Sequence, residues 1–268
     1  MKSQVLSLIA ALFLTAIVPA SPHDTWLIPA QFKIAPGETA TFDLTSGMAF
    51  PALDVGPKRE RIQAVVCRLG GQTFELNDFE AAPNSLRIKG AFPKPGVAAI
   101  WVKSPPKEID LKPDQVQEYL DEIDAPALVR QQWKDEKDPR RWKESFRKHS
   151  KTFVRVGDAS ADTSWREPIG MFLEIVPEKD PTTLKAGDEF PVHVLKDGKP
   201  FADFSLGVVA GSETKGLIKK TDHMGKVSFL LNKDGRWLLR GTDVRKSTKQ
   251  NIDWESDFTT LTIEVAKQ

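Results

Sequence analysis

A glycine turn that feeds a strand-like alternation occurs twice in this chain, about 150 residues apart, and this repeat constrains the fold more than any other feature. The copies are Ile34-Ala35-Pro36-Gly37-Glu38 and Leu184-Lys185-Ala186-Gly187-Asp188. After the first, Ala40, Phe42 and Leu44 alternate with polar residues; after the second, Phe190, Val192 and Val194 do the same. Period-two alternation marks a strand with one face buried. Two such starts predict two β domains that begin alike.

The remaining strands follow from apolar runs bounded by turn residues. In the first half they are 62–69, 85–88 and 97–102, separated by Gly70-Gly71, Pro83-Asn84 and Pro93-Lys94-Pro95-Gly96. In the second half they are 170–176, 189–195, 205–210, 226–231, 237–241 and 258–265, with Asp197-Gly198 and Asp234-Gly235 as hairpin turns. Between the halves, from Pro113 to Ser150, Gln, Glu, Lys and Arg dominate. That stretch reads as short helices broken at Pro126 and Pro139. The fold class is therefore mainly β: two immunoglobulin-like or transthyretin-like β-sandwich domains with a helical insert between them. The expected boundaries are a leader at 1–20, an N-terminal β domain at 21–106, a helical segment at 107–156 and a C-terminal sandwich at 157–268.

The leader expectation rests on Lys2, the apolar run 5–18 and the small residues Val18 and Ala20 before a polar chain, which is the order of a signal peptide cleaved after Ala20. The run is short of the ~20 residues of a membrane-spanning helix, so the expectation is a periplasmic or secreted protein with no membrane anchor of its own. Cleavage removes Lys2, taking 38 basic residues to 37 against 37 acidic ones. That balance argues against nucleic acid as a partner. Cys67 is the single cysteine, so no internal disulfide holds the fold.

No catalytic signature is present: there is no G-x-S-x-G, no H-E-x-x-H and no phosphate-cradling glycine loop. The chain reads as non-catalytic. Four histidines remain to be placed. His23 stands beside Asp24 at the expected mature start, where an imidazole, a carboxylate and a nearby amine suit a borderline divalent ion such as nickel, copper or zinc. His149 ends the expected helical segment, where a cation at a helix C-terminus is the plainer reading. His193 is out of phase with its strand's buried residues and is expected to face solvent or the neighbouring domain. His223 sits in the turn Thr221-Asp222-His223-Met224-Gly225. Trp101 and Trp237 are expected in the core. Trp26 and Trp254 lie near element ends and would wall a site around His23 if they met.

The mature start His23-Asp24-Thr25-Trp26-Leu27-Ile28-Pro29, with Phe32 and the Ala35-Pro36-Gly37-Glu38 turn, resembles the periplasmic nickel-uptake accessory family, an unknown-function domain of the nickel-uptake substrate-specific transmembrane region type. The likeness continues through His149-Ser150-Lys151, Val156-Gly157, Leu173-Glu174-Ile175-Val176-Pro177, Gly198-Lys199-Pro200, Gly235-Arg236-Trp237 and Asp253-Trp254-Glu255-Ser256. The resemblance implies a soluble, non-catalytic metal-binding accessory protein for nickel or cobalt uptake. It implies nickel or cobalt as a divalent ion cofactor, with His23 as leading ligand and His149 matching the same pattern; Asp24 as a further ligand, and copper or zinc as alternative ions, come from the residue chemistry above. A membrane metal transporter or outer-membrane receptor is the implied partner. Ser21-Pro22-His23 cannot form the square-planar amino-terminal chelate, because proline has no amide proton to lose; a chain starting at His23 could chelate through amine and ring. The alternative is a non-metal β-sandwich interaction module that binds a protein or glycan.

Overall fold

The structure, a computed structural model, describes residues 23–211, 213 and 216–268; the expected leader lies outside the described residues. The repeat in the sequence is one turn built twice. Gly37 has φ +88° and Gly187 φ +94°, backbone that a side-chain-bearing residue adopts only with strain. In each turn the acidic residue after the glycine reaches back: Glu38 Oε2 accepts from the Ala35 N–H at 2.8 Å, and Asp188 Oδ2 from the Lys185 N–H at 2.9 Å. The turns launch the strands Thr39–Gly47 and Asp188–Lys196, whose alternating apolar residues are buried as expected.

The strands form three sheets. One has the order Asp24–Pro29, Thr39–Gly47, Leu86–Ala91, Asp78–Ala81. Another is built on Asp188–Lys196, which pairs with Leu173–Pro177, Lys199–Pro200 and Lys226–Leu231. The third has ten strands and runs through both halves of the chain: Leu217–Lys220, Ser205–Ala210, Gly235–Lys246, Trp254–Val265, Trp142–Val156, Gly96–Lys103, Ala64–Leu69 and Gln72–Glu75, with Lys33–Ile34 and Lys107–Leu111 also paired to Trp142–Val156. Each four-stranded sheet covers one part of this long sheet and makes a sandwich. Leu27, Phe42 and Ile88 meet Val65, Cys67, Ile100 and Val154 in one core. Phe190, Val192 and Phe229 meet Val208, Leu239, Leu261 and Phe153 in the other.

The strand Gly96–Lys103 serves both cores. Ala98, Ile100 and Val102 face the first, and Val97 and Ala99 the second. A strand buried on both faces must be apolar at successive positions, which its sequence is.

The expectation of helix across 107–156 is corrected. Helices occupy Pro113–Glu122 and Ala127–Lys134, broken before Pro126 as foreseen, but Lys107–Leu111 and Trp142–Val156 are strands. Trp142–Val156 is parallel to Trp254–Val265 and central in the long sheet. Its buried polar side chains are tolerated because each is paired. The Ser150 hydroxyl donates to the Thr25 carbonyl at 2.8 Å, that of Thr152 to the Thr262 carbonyl at 2.9 Å, and Lys151 Nζ to Glu174 Oε1 at 2.8 Å.

The two helices close a third cluster over one end of the sheet. Val116, Tyr119, Leu120, Val129 and Trp133 pack on Trp142, Trp254 and Phe258. The Trp142 and Trp254 rings stack at 4.1 Å. Beneath them the buried Glu144 carboxylate accepts from Tyr119 Oη at 2.9 Å, from Trp142 Nε1 at 2.6 Å and from the Ser256 hydroxyl. Burial raises the Glu144 carboxyl above its usual range, against those three bonds.

Candidate functional site

The register between the strands Asp24–Pro29 and Thr39–Gly47 creates the site. Asp24 pairs with Gly47 and Thr25 with Ser46, so the next position outward sets His23 opposite Met48. Residues facing each other across an antiparallel pair have Cβ atoms about 4.5–5.5 Å apart, and here His23 Nδ1 lies 2.9 Å from Met48 Sδ. Behind them the strand is clamped to the long sheet. Lys148 Nζ donates to the His23 carbonyl, and the Ser150 and Thr260 hydroxyls donate to the Thr25 carbonyl at 2.8 and 2.6 Å. The His23 imidazole is lowered from its usual range by partial burial and by Lys148, with Asp54 and Asp24 acting in the opposite direction.

The three residues expected as ligands do not converge. Asp24 points away from His23 along the alternation of the strand, and Arg240 Nη1 donates to its Oδ2 at 2.5 Å. His149 neighbours Lys148 on the strand Trp142–Val156, so its side chain leaves by the opposite face of the sheet. There its Nε2 meets Asp257 Oδ1 at 2.9 Å. An ionised carboxylate only accepts, so the proton of this bond sits on Nε2. Asp257 is fully buried and also receives Arg147 at 2.9 Å and Arg245 at 3.0 Å. His149 therefore belongs to a structural charge cluster. Among the described residues no group of three or more His, Cys, Asp or Glu side chains could enclose a metal ion.

Trp26 and Trp254 do not meet either. Trp26 packs edge-on against Phe50 at 5.6 Å, whereas Trp254 is stacked on Trp142 under the helices. Trp101 and Trp237 are buried as expected. His223 is exposed in its turn, and His193 Nε2 is buried with no hydrogen-bond partner among the described residues. The Cys67 thiol is buried and pushed up to about 12 by that burial, which leaves it unreactive.

The partner that sequence reasoning missed is Met48. It sits in Ser46-Gly47-Met48-Ala49-Phe50-Pro51, just past a strand end, and is 60% exposed. A methionine exposed at a turn next to glycine was the available signal. Its pairing with His23 needed the register, which is not written in either residue.

The fold and site define a mainly β double sandwich with an imidazole and a thioether side by side at the start of its first strand. By sequence, residues 20–242 match the model of a family described as Domain of unknown function (DUF4198), and the chain belongs to that family. No curated protein matches the chain in sequence. Among solved structures, the D0-D1 domain of Intimin aligns over 90% of this chain and 97% of that one at 12% identity, with a TM-score of 0.23. The Yersinia pseudotuberculosis adhesin InvE aligns over 90% and 58% at 11% identity and TM-score 0.24. Bacteroides ovatus SGBP-B of a mixed-linkage glucan utilization locus, in complex with a mixed-linkage heptasaccharide, aligns over 90% and 46% at 11% identity and TM-score 0.23. The chain spans only about half the length of the last two. Superposition this weak carries no argument about function. No helix among the described residues is long and apolar enough to cross a membrane.

Proposed function

We propose that this chain is an exported, non-catalytic protein that binds a soft transition-metal ion through His23 and Met48 and presents it to a membrane transporter or receptor. The observation that carries the reading is the 2.9 Å approach of His23 Nδ1 to Met48 Sδ. In zinc sites an ion about 2.0–2.1 Å from an imidazole nitrogen and about 2.3 Å from a thiolate sulfur holds those two atoms roughly 3–3.5 Å apart, so a slight separation of His23 and Met48 would admit an ion of that size. A thioether adds little as a hydrogen-bond acceptor but is a good ligand for copper(I), and imidazole suits the same ion. The methionine thus moves the preferred metal from nickel toward copper(I). Asp24 and His149 are not part of this set, because Arg240 and Asp257 hold them elsewhere. A chain trimmed to His23 would add its terminal amine as a third ligand on the same residue.

Titration of the metal-free mature protein with copper(I), nickel, cobalt and zinc tests the reading, in forms beginning at Ser21 and at His23. Copper(I) is expected to bind tightest, and the form beginning at His23 more tightly than the other. His23→Ala and Met48→Ala should each weaken binding by at least about tenfold with unchanged circular dichroism. If no ion binds better than about micromolar, or both variants bind as the parent does, the metal reading fails and a non-metal interaction module becomes the better account.

A further inference from the structure

A pocket of about 90 Å³ lies behind the clamp on the first strand, walled by Leu44, Ile62, Val102 and Phe146. A water needs about 10–15 Å³ of such space, so the pocket has room for a small organic molecule. Three cations line it: Arg61, Lys107 and Lys148. No aspartate or glutamate is among the lining residues. Among the described residues none of the three has a carboxylate at ion-pair distance, whereas Arg130, Arg141, Lys151 and Arg155 each do. Asp24 and Glu122 act on Lys148 only at longer range, and Asp24 is already taken by Arg240. Arg61 lies near enough to Lys107 to repel it.

Like charges gathered at an apolar wall are costly unless something balances them, because field lines between them cross little water. The Lys148 ammonium is largely buried between the rings of Phe146 and Phe258, at 5.8 and 5.7 Å. It has three donors, of which the His23 carbonyl takes one. Two are left for an acceptor inside the pocket. We propose that this pocket binds a small organic anion with one or two carboxylates: the oxygens lie between Lys148, Lys107 and Arg61, and the hydrocarbon part lies against Ile62, Val102 and Phe146. Inorganic phosphate would meet the cations but waste the apolar wall. This site is separate from the His23 and Met48 pair and needs no metal.

The test is calorimetric titration of the metal-free mature protein with succinate at low ionic strength, beside uncharged succinamide and inorganic phosphate. Succinate is expected to saturate one site at submillimolar concentration, with succinamide silent and phosphate weaker. Lys107→Gln and Arg61→Gln, at a half-buried and an exposed position, should each weaken succinate binding by about tenfold with unchanged circular dichroism. Lys89→Gln, an exposed lysine paired with Glu80 elsewhere, should not change it. Lys148→Met should abolish binding while circular dichroism shows the β fold intact. Absence of saturable succinate binding, equal binding of succinamide, phosphate as tight as succinate, or parent-like binding by both Lys107→Gln and Arg61→Gln would each overturn the proposal. No metal is present in the assay, so its failure leaves the metal reading untouched.

Discussion

Asp257 shows how one buried carboxylate organises a whole face of the sheet. His149, Arg147 and Arg245 all converge on it, and Arg245 also holds Asp243, which Lys196 reaches at 2.7 Å. Burial works to raise the Asp257 carboxyl, but the hydrogen bond from His149 and the charges of Arg147 and Arg245 outweigh it and hold the group below 3.8. The sign follows from this depression. The folded state keeps the ionised form more firmly than the unfolded chain, so Asp257 contributes stability above the ordinary aspartate range and loses it as pH falls through the folded value. Asp257→Asn should cost about 3 kcal/mol near neutral pH, the low end for breaking a buried pair because Arg147 and Arg245 keep some contact with water. It should also flatten the acid limb of stability against pH, read by urea denaturation between pH 3 and 7. His23 was legible as a candidate because it stands among few histidines. The real partners of Asp24 and His149 were not, since Arg240 and Asp257 are over 100 residues away in each case.

At the scale of elements, the turns and their strands were readable because glycine and alternation act locally. The strand Trp142–Val156 was not. Its buried positions include Glu144, Ser150, Lys151 and Thr152, and a pattern search scores these as solvent-facing when pairing has in fact removed the cost of burying them. Lys151 and Glu174 illustrate the point: both are fully buried and bonded to each other. Glu174 also accepts the N–H groups of Ile169 and Gly170 at 3.0 Å and of Met171 at 3.3 Å, so it fixes the loop that enters the strand Leu173–Pro177. Lys151→Met should cost about 3–5 kcal/mol by leaving a buried carboxylate without its counter-charge. Glu174→Leu should cost more, because three backbone donors lose their acceptor as well. Equilibrium denaturation of the two variants gives the order directly, and equal costs would argue against the loop-holding role.

Across the whole molecule, the long sheet makes the two sandwiches share structural members. Gly96–Lys103 and Trp142–Val156 contribute alternate residues to both cores, so neither core can open without stripping one face of these strands. The expected outcome is one cooperative thermal transition, with Ile100→Ala in the first core and Ile263→Ala in the second lowering the same midpoint. Each large-to-small change should cost about 2–5 kcal/mol. Two resolved transitions by calorimetry, each moved by only one substitution, would show the cores to be independent.

The clamp on the first strand also sets an order of events as the chain is made. The partners that hold Thr25 and Asp24 are Ser150, Arg240 and Thr260, which lie 125, 216 and 235 positions later. A polypeptide that emerges amino-terminus first must therefore keep this segment waiting until almost its last strand has appeared. Closing so wide a loop is the slow part of assembly. The pairing that sets His23 opposite Met48 is local to the first 47 residues, but its anchorage to the long sheet is completed only when the chain is all but finished, so a stalled or truncated molecule would leave this corner of the sandwich unfastened.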